Sequence, residues 1–213
     1  MAKSRSGTVK LNFITGLAHE IIVIVFGLIL PRITLTYFGS TYNGLLNSVT
    51  HFLSFSVVLR SGLGAVTNAA LYKPITDGDT EKISGIMAAT DRFMRRVGWL
   101  LAAIIFCFAL LYPFLVVDEF GYLFSFSLIL IVGAASWVEN MFSIKYKILL
   151  QADQKYYIIT IVTVIAYVLS NIFSILLIIM GFGIHIVRIG TLIGLTTTPF
   201  MLKLYVDRHY TIH

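Results

Sequence analysis

The chain has 213 residues, of which 58% are hydrophobic and only 12% charged, and its mean hydropathy is +0.89. Soluble domains use about 45–50% apolar residues and cover their surface with polar ones, so a water-soluble globular fold is excluded. The net charge of +6 is not a nucleic-acid signature, because the lysines and arginines flank apolar runs, where membrane topology places them.

Six such runs occupy residues 11–37, 44–71, 93–117, 120–146, 156–180 and 183–205. A run of about 18 or more residues with few charges crosses a hydrocarbon core about 30 Å thick. The fold class expected is an all-α membrane protein, a bundle of six transmembrane helices forming a single lobe over residues 1–213. Short connections make successive helices antiparallel neighbours.

Taken in chain order, residues 1–10 form a basic tail suited to an anionic membrane surface. Span one carries the adjacent His19 and Glu20, then Pro31, whose missing N–H frees a carbonyl. A turn rich in glycine and aromatics follows at 37–44. Span two sets Asn47, His51, Ser54 and Ser61 at helical steps, and also carries Arg60. Asp77, Gly78, Asp79 and Thr80 supply turn and N-cap chemistry. They lack the glycine placement and closing glutamate of a calcium loop. Residues 80–92 then read as an amphipathic helix at the inner surface that runs into span three, with Ile83, Ile86 and Thr90 on one face and Lys82, Asp91 and Arg92 on the others.

Cys107, the single cysteine, excludes an intrachain disulfide and a cysteine metal cluster. Asp118 and Glu119 mark a short outer turn. Glu139 lies within span four, and 145–155 is expected to be a basic connection. Span five repeats Thr160, Thr163, Tyr167, Ser170, Asn171 and Ser174 at steps of three and four, a polar face on a greasy helix. Span six holds His185, Arg188 and the small residues Gly190 and Gly194. Residues 204–213 leave it as a polar strip that reads as the start of a connection, so the chain is expected to be one half of a larger protein.

Thirteen of the sixteen basic residues fall in the tail, in 72–96, in 145–155 and from Lys203 to the end, and none in the outer turns. This bias puts both termini in the cytoplasm.

Ionisable groups inside hydrocarbon are costly and face protein or a wet cavity. Glu20, Arg60 and Glu139 fall at a similar depth by helical rise, where Arg60 meets one or both carboxylates. Two readings stay open: a buried ion pair that fixes helix register, or a basic group lining a cavity for an anion. Arginine suits phosphate because its planar fork donates several hydrogen bonds and keeps its charge. The polar stripes likewise fit either interhelical hydrogen bonding or a shared cavity. Enzyme motifs are missing: no Gly-x-Ser-x-Gly, no His-Glu-x-x-His and no Walker loop. The expectation is no enzyme, no metal and no cofactor.

Three local patterns carry a resemblance. The first is Leu30, Pro31, Arg32 and Ile33 with Phe38, Gly39, Gly44 and Leu45. The second runs from Leu59, Arg60, Ser61, Gly62, Leu63, Gly64 and Ala65 to Leu71, Tyr72, Lys73 and Pro74. The third is Leu149, Leu150, Gln151, Ala152, Asp153, Gln154, Lys155, Tyr156 and Tyr157. Together they resemble the polysaccharide-transport branch of the multidrug/oligosaccharidyl-lipid/polysaccharide exporter superfamily, the O-antigen flippase type, in its N-terminal half. The resemblance implies one lobe of a two-lobe exporter in the bacterial inner membrane, moving polyprenyl-pyrophosphate-linked oligosaccharide. Its implied partners are membrane lipids and either a second six-span lobe or a glycan polymerase complex, with no nucleic acid. Under it, Arg60 first and Arg188 second meet pyrophosphate. Asn47, His51, Tyr167 and Asn171 meet sugar hydroxyls, and Glu20 and Glu139 tune Arg60 or carry a coupling proton. The alternatives are a cation-coupled drug exporter of the same superfamily, which would favour acidic cavity residues, and a non-transporting membrane scaffold or half-protein.

Overall fold

The computed structural model describes residues 5–54, 56–116 and 120–210; the side chains of 5, 6, 56–61 and 63 are not among those described. The start of the basic tail and the expected turn at Val117, Asp118 and Glu119 lie outside this set, as does the side chain of Arg60. Among the described residues the chain is helical, with no strand. The helices are α1 (Arg5–Phe38), α2 (Ser40–Ser54), α3 (Ser56–Asp77), α4 (Thr80–Leu111), α5 (Tyr122–Val138), α6 (Ile144–Ala152), α7 (Tyr156–Ile179) and α8 (Ile184–His209). A 3-10 turn follows α4 at Tyr112–Leu115, and a π-turn, Glu139–Ser143, joins α5 to α6.

Five helical segments are long and apolar enough to cross a membrane: Gly7–Phe38, Thr80–Leu115, Tyr122–Ala152, Tyr156–Ile179 and Ile184–His209. Among the described residues the run 44–71 falls on α2 and α3, on either side of residue 55, which lies outside the described set, and neither helix by itself is among these five.

Chain reversals sit on backbone that needs positive φ. Gly39 (φ 87°), Gly78 (φ 69°), Gly121 (φ 71°) and Gly181 (φ 80°) mark four of them, and Gln154 (φ 59°) the fifth. Glycine enters that region without a Cβ penalty, so these reversals can be tight. Asp79 caps α4, its carboxylate accepting from the Lys82 amide at 3.0 Å.

Residues 80–92 form the first turns of α4 and continue without a break into its membrane-length body. Ile83, Met87 and Met94 bury against Leu71 of α3 and Ile148 of α6. Likewise 145–155 is mostly helix. The expected basic connection shrinks to Asp153, Gln154 and Lys155, because the lysines before it are neutralised inside the bundle. Lys145 pairs with Asp91 at 2.6 Å and Lys147 with Glu139 at 2.8 Å.

α7 lies between α1 and α8, and α8 packs on α5, which packs on α4; α3 lies against α4 and α6. Two apolar clusters hold the ends. At the basic end Leu71, Met94, Leu149, Leu150, Ile159 and Leu202 pack together. At the opposite end Leu46, Val49, Ile105, Leu128 and Ile129 do so, overlaid by the aromatic contacts of Tyr42 with Phe120 and Phe124. In lipid such clusters are held by close packing rather than by a hydrophobic drive. Phe13, Leu28, Trp99, Phe173, Ile193 and Phe200 point outward and stay exposed, as residues bathed by acyl chains do. Between the two clusters lies a polar layer.

Candidate functional site

Two cavities of about 460 Å³ each occupy that layer and the space toward the basic end. The lower is lined by His19 and Glu20 of α1, Gly64 of α3, Glu139, Lys147 and Gln151 of the fourth span, and Tyr156 and Thr163 of α7. The upper is lined by Thr50 and Ser54 of α2, Ser136, Glu139 and Asn140, Tyr167 and Asn171 of α7, and Arg188 and Thr191 of α8. A small third space of about 140 Å³ is bounded by Glu139, Lys147 and Thr163 together with Leu192 and Leu195. Glu139 is common to all three walls.

The π-turn explains that position. A π-turn is a one-residue expansion of an α-helix, often found at working sites. Eight residues carry a regular helix about 80° past two full turns. Taking up one residue, about 100°, in the wide turn returns Lys147 to within about 20° of Glu139. The ammonium and carboxylate then meet at 2.8 Å. The Ser136 carbonyl, beside the widened turn, accepts from Asn140 Nδ2 at 2.8 Å, and Asn140 is 2% exposed. The sequence signal for Lys147 is only its spacing from Glu139, which a regular helix would have placed on different faces.

The stripe on α7 divides. Thr160 and Thr163 line the lower cavity, and Tyr167, Ser170 and Asn171 the upper one. Asn171 Nδ2 donates to the Tyr167 carbonyl at 2.7 Å, leaving its amide oxygen for another donor. Phe26 of α1 meets the Tyr167 ring edge-on at 6.0 Å. Ser174 instead bonds across to Thr191 Oγ1 at 2.7 Å. There α7 and α8 approach so closely that a Cβ on Gly194 would lie 2.6 Å from Ser170 Cα, and one on Gly190 2.5 Å from Leu177. The small residues of span six are therefore a packing seam.

Arg188 lines the upper cavity, and its Nε is buried with no hydrogen-bond partner among the described residues. His185, one turn away, is engaged elsewhere: it shares a 2.8 Å hydrogen bond with Ser127 and packs edge-on against Phe124. Glu20 meets His19 at 3.2 Å and is largely exposed to the lower cavity. Asn47 and His51 lie on the exposed face of α2 and are not among the cavity-lining residues. Thr50, one position before His51, and Ser54, three positions after it on the expected stripe, are. The site thus brings together Tyr167, Asn171, Arg188, Glu139 and Glu20 and leaves Asn47 and His51 outside it. Thr50, Asn140, Lys147 and Thr191 join it unheralded by the sequence patterns.

At the basic end α1 is clasped to the turn before α7. Asn12 accepts from the Tyr157 amide at 2.7 Å and donates to the Gln154 carbonyl at 3.2 Å. Lys155 bonds Asp153 at 2.7 Å and the Tyr210 hydroxyl at 3.1 Å, and that hydroxyl donates to Asp153. Burial, and then the bond to Asp153, push the Tyr210 phenol well above its ordinary range.

Among the described residues no group of three or more His, Cys, Asp or Glu side chains is placed to hold a metal. The cavities can instead take a charged, hydroxyl-bearing molecule: cations at two depths, amide and hydroxyl groups between them, and apolar walls. No family model, curated protein or solved structure matches the chain.

Proposed function

We propose that the chain is a membrane flippase lobe that translocates polyprenyl-pyrophosphate-linked oligosaccharide for surface polysaccharide synthesis. The observation that carries this reading is the Arg188 guanidinium, whose Nε is desolvated and unpaired among the described residues. It lines a cavity that also presents Tyr167, Asn171 and Thr191. A desolvated guanidinium N–H with no partner among the described residues carries an unmet hydrogen-bonding cost, which an anionic ligand offsets when its oxygens reach the guanidinium. Amide and hydroxyl groups beside it suit sugar hydroxyls.

In this reading α2 and α3 together make a sixth span. The basic end faces the cytoplasm of a bacterial cell with both termini, as the charge bias favours, and the lower cavity is the entry. A second lobe, in the same or another chain, closes the far side of the route.

The test is complementation of a bacterial strain lacking its own flippase. The wild-type gene restores surface polysaccharide, Arg188→Ala does not, and Arg188→Lys restores part, all with equal membrane insertion. Wild-type protein that inserts normally but restores nothing would sink the proposal. A second reading, the cation-coupled drug exporter, is favoured by Glu20 and Glu139 in the lower cavity. It requires resistance to cationic drugs in the same strain, lost in Glu20→Gln, with surface polysaccharide unaffected.

A further inference from the structure

α4 lends no residue to the three cavities, yet its lipid side is built in two zones. Arg92, Arg95, Trp99 and Phe106 follow one another at steps of three, four and seven, which keeps them along one side of the helix. That side borders the fourth span. Trp99 meets Trp137 of α5 with ring centroids 6.2 Å apart, and Phe106 meets Phe126 at 6.3 Å. Phe142, in the π-turn, packs edge-on against Trp137. Trp99 is 66% exposed, Phe106 50% and Phe142 45%, so the aromatics flank a seam open to acyl chains. Its floor is closed, because a Cβ on Gly98 would lie 3.1 Å from Met141 Sδ and one on Gly133 2.5 Å from Ile105.

The inner end of the seam is basic. Asp91 of α4 is shared by Arg95 at 2.8 Å and by Lys145 of α6 at 2.6 Å. Arg92 is exposed and has no ion-pair partner among the described residues. Three cations from two helices gather here against one carboxylate, an excess of about two positive charges. A topology signal asks only for positive charge on this side of the membrane. It does not ask for arginines in line with an exposed aromatic row, nor for a second helix to bring a lysine to the same place. Fourteen residues separate Arg92 from Phe106, about 21 Å of helix. That is about half of a bilayer some 40–45 Å thick with its headgroups. The seam matches one leaflet, with charge at headgroup level and aromatics along the chains.

We propose that this seam is a binding site for an anionic glycerophospholipid. Its phosphate lies between Arg92 and Arg95, beside Lys145, and one acyl chain runs over Trp99 toward Phe106. The planar guanidinium fork suits phosphate oxygens, and the amphipathic ring of Trp99 suits the boundary between the two zones. The basic end has no enclosing walls for a soluble phosphate, but an apolar track of chain length leads away from it. A bound headgroup braces α4 against the segment that carries the π-turn. The site is on the outside of the bundle and is independent of what the cavities carry.

Trp99 and Trp137 are the chain's two tryptophans, so tryptophan fluorescence reads this seam alone. The experiment is quenching of that fluorescence in the full chain reconstituted into phosphatidylcholine vesicles. Dibrominated phosphatidylglycerol or dibrominated phosphatidylcholine is added in graded proportion. Wild type reaches half-maximal quenching with the anionic lipid at about one tenth the proportion needed with the zwitterionic one, as two cations near headgroups give. Arg92→Gln lowers that preference about fivefold, and Arg92→Gln/Arg95→Gln abolishes it. Lys73→Gln/Arg208→Gln removes as much charge from the same end, on α3 and α8, and keeps it.

Equal quenching of wild type by the two lipids overturns the site. An equal loss in the two double variants does so as well, because the preference then belongs to bulk charge and not to a place. Arg92→Gln, which breaks no ion pair among the described residues, decides the matter if the double variant does not insert: an unchanged preference there overturns the site.

Discussion

The polar face of α7 meets two different neighbours, and the contrast shows what a stripe of hydroxyls and amides means in a membrane. Toward α8, Ser170 and Ser174 face Gly194 and Thr191. Backbones nearly touch and the one cross-helix bond, Ser174 to Thr191, is complete at 2.7 Å. Toward the cavities, Thr163, Tyr167 and Asn171 face Glu139, Lys147 and Arg188 across open space. Residue types and spacing are alike on both sides. The facing residue decides: glycine allows contact and consumes polar groups in packing, whereas a long cation holds the helices apart and leaves them for a ligand.

Filling the seam is the most damaging way to test this contrast. Gly194→Leu puts branched carbon where Ser170 Cα and N already stand within 3 Å of a Cβ. Overpacking ordinarily costs about 1–3 kcal/mol, and backbone cannot rotate aside, so the upper end of that range is expected. Thermal denaturation of the purified protein reads it, and an unchanged transition would break the seam side of the comparison.

Removing the cation on the cavity side is predicted to separate function from stability. Arg188→Met keeps or raises thermal stability, by about 1 kcal/mol, because it deletes an incompletely partnered buried charge. It nonetheless abolishes export in complementation. A large loss of stability instead would make Arg188 a packing residue and erase the difference between the two sides.

Smaller effects sharpen the picture. Tyr210→Phe, outside both sides, loses the hydroxyl that Lys155 and Asp153 share, for about 1 kcal/mol. The folded state raises that phenol's pKa, so it favours the neutral form. The stabilisation is full below the ordinary phenol pKa of about 10 and is lost as pH rises above it. Thermal stability against pH shows this alkaline loss in wild type and not in Tyr210→Phe. Ser174→Ala is the mildest change, about 0.6 kcal/mol for one interhelical hydrogen bond, with export retained.

Much of this was legible in the chain. The helical, membrane-spanning character, the glycine seam of span six and the stripe on α7 follow from hydropathy and helical period. So does the choice of Tyr167, Asn171, Arg188, Glu139 and Glu20 as cavity residues, since ionisable and amide groups in hydrocarbon seek protein. Asn47 and His51 do not line either of the two cavities described, because a helix face is only a few residues wide and its azimuth depends on packing against α1 and α5. Lys147 was misread as a loop residue because nothing local announces a π-turn.

Hydropathy, periodicity and charge placement along the chain determined by themselves that this protein is helical, that its long apolar helices suit a membrane and which side chains resist lipid. Those properties are summed over residues near one another in sequence. The tertiary structure alone decided which polar groups saturate one another and which remain open, and it drew Lys147 up beside Glu139. Those outcomes depend on helix rotation and on a one-residue expansion, and both are set by what stands opposite rather than by what comes next in the chain.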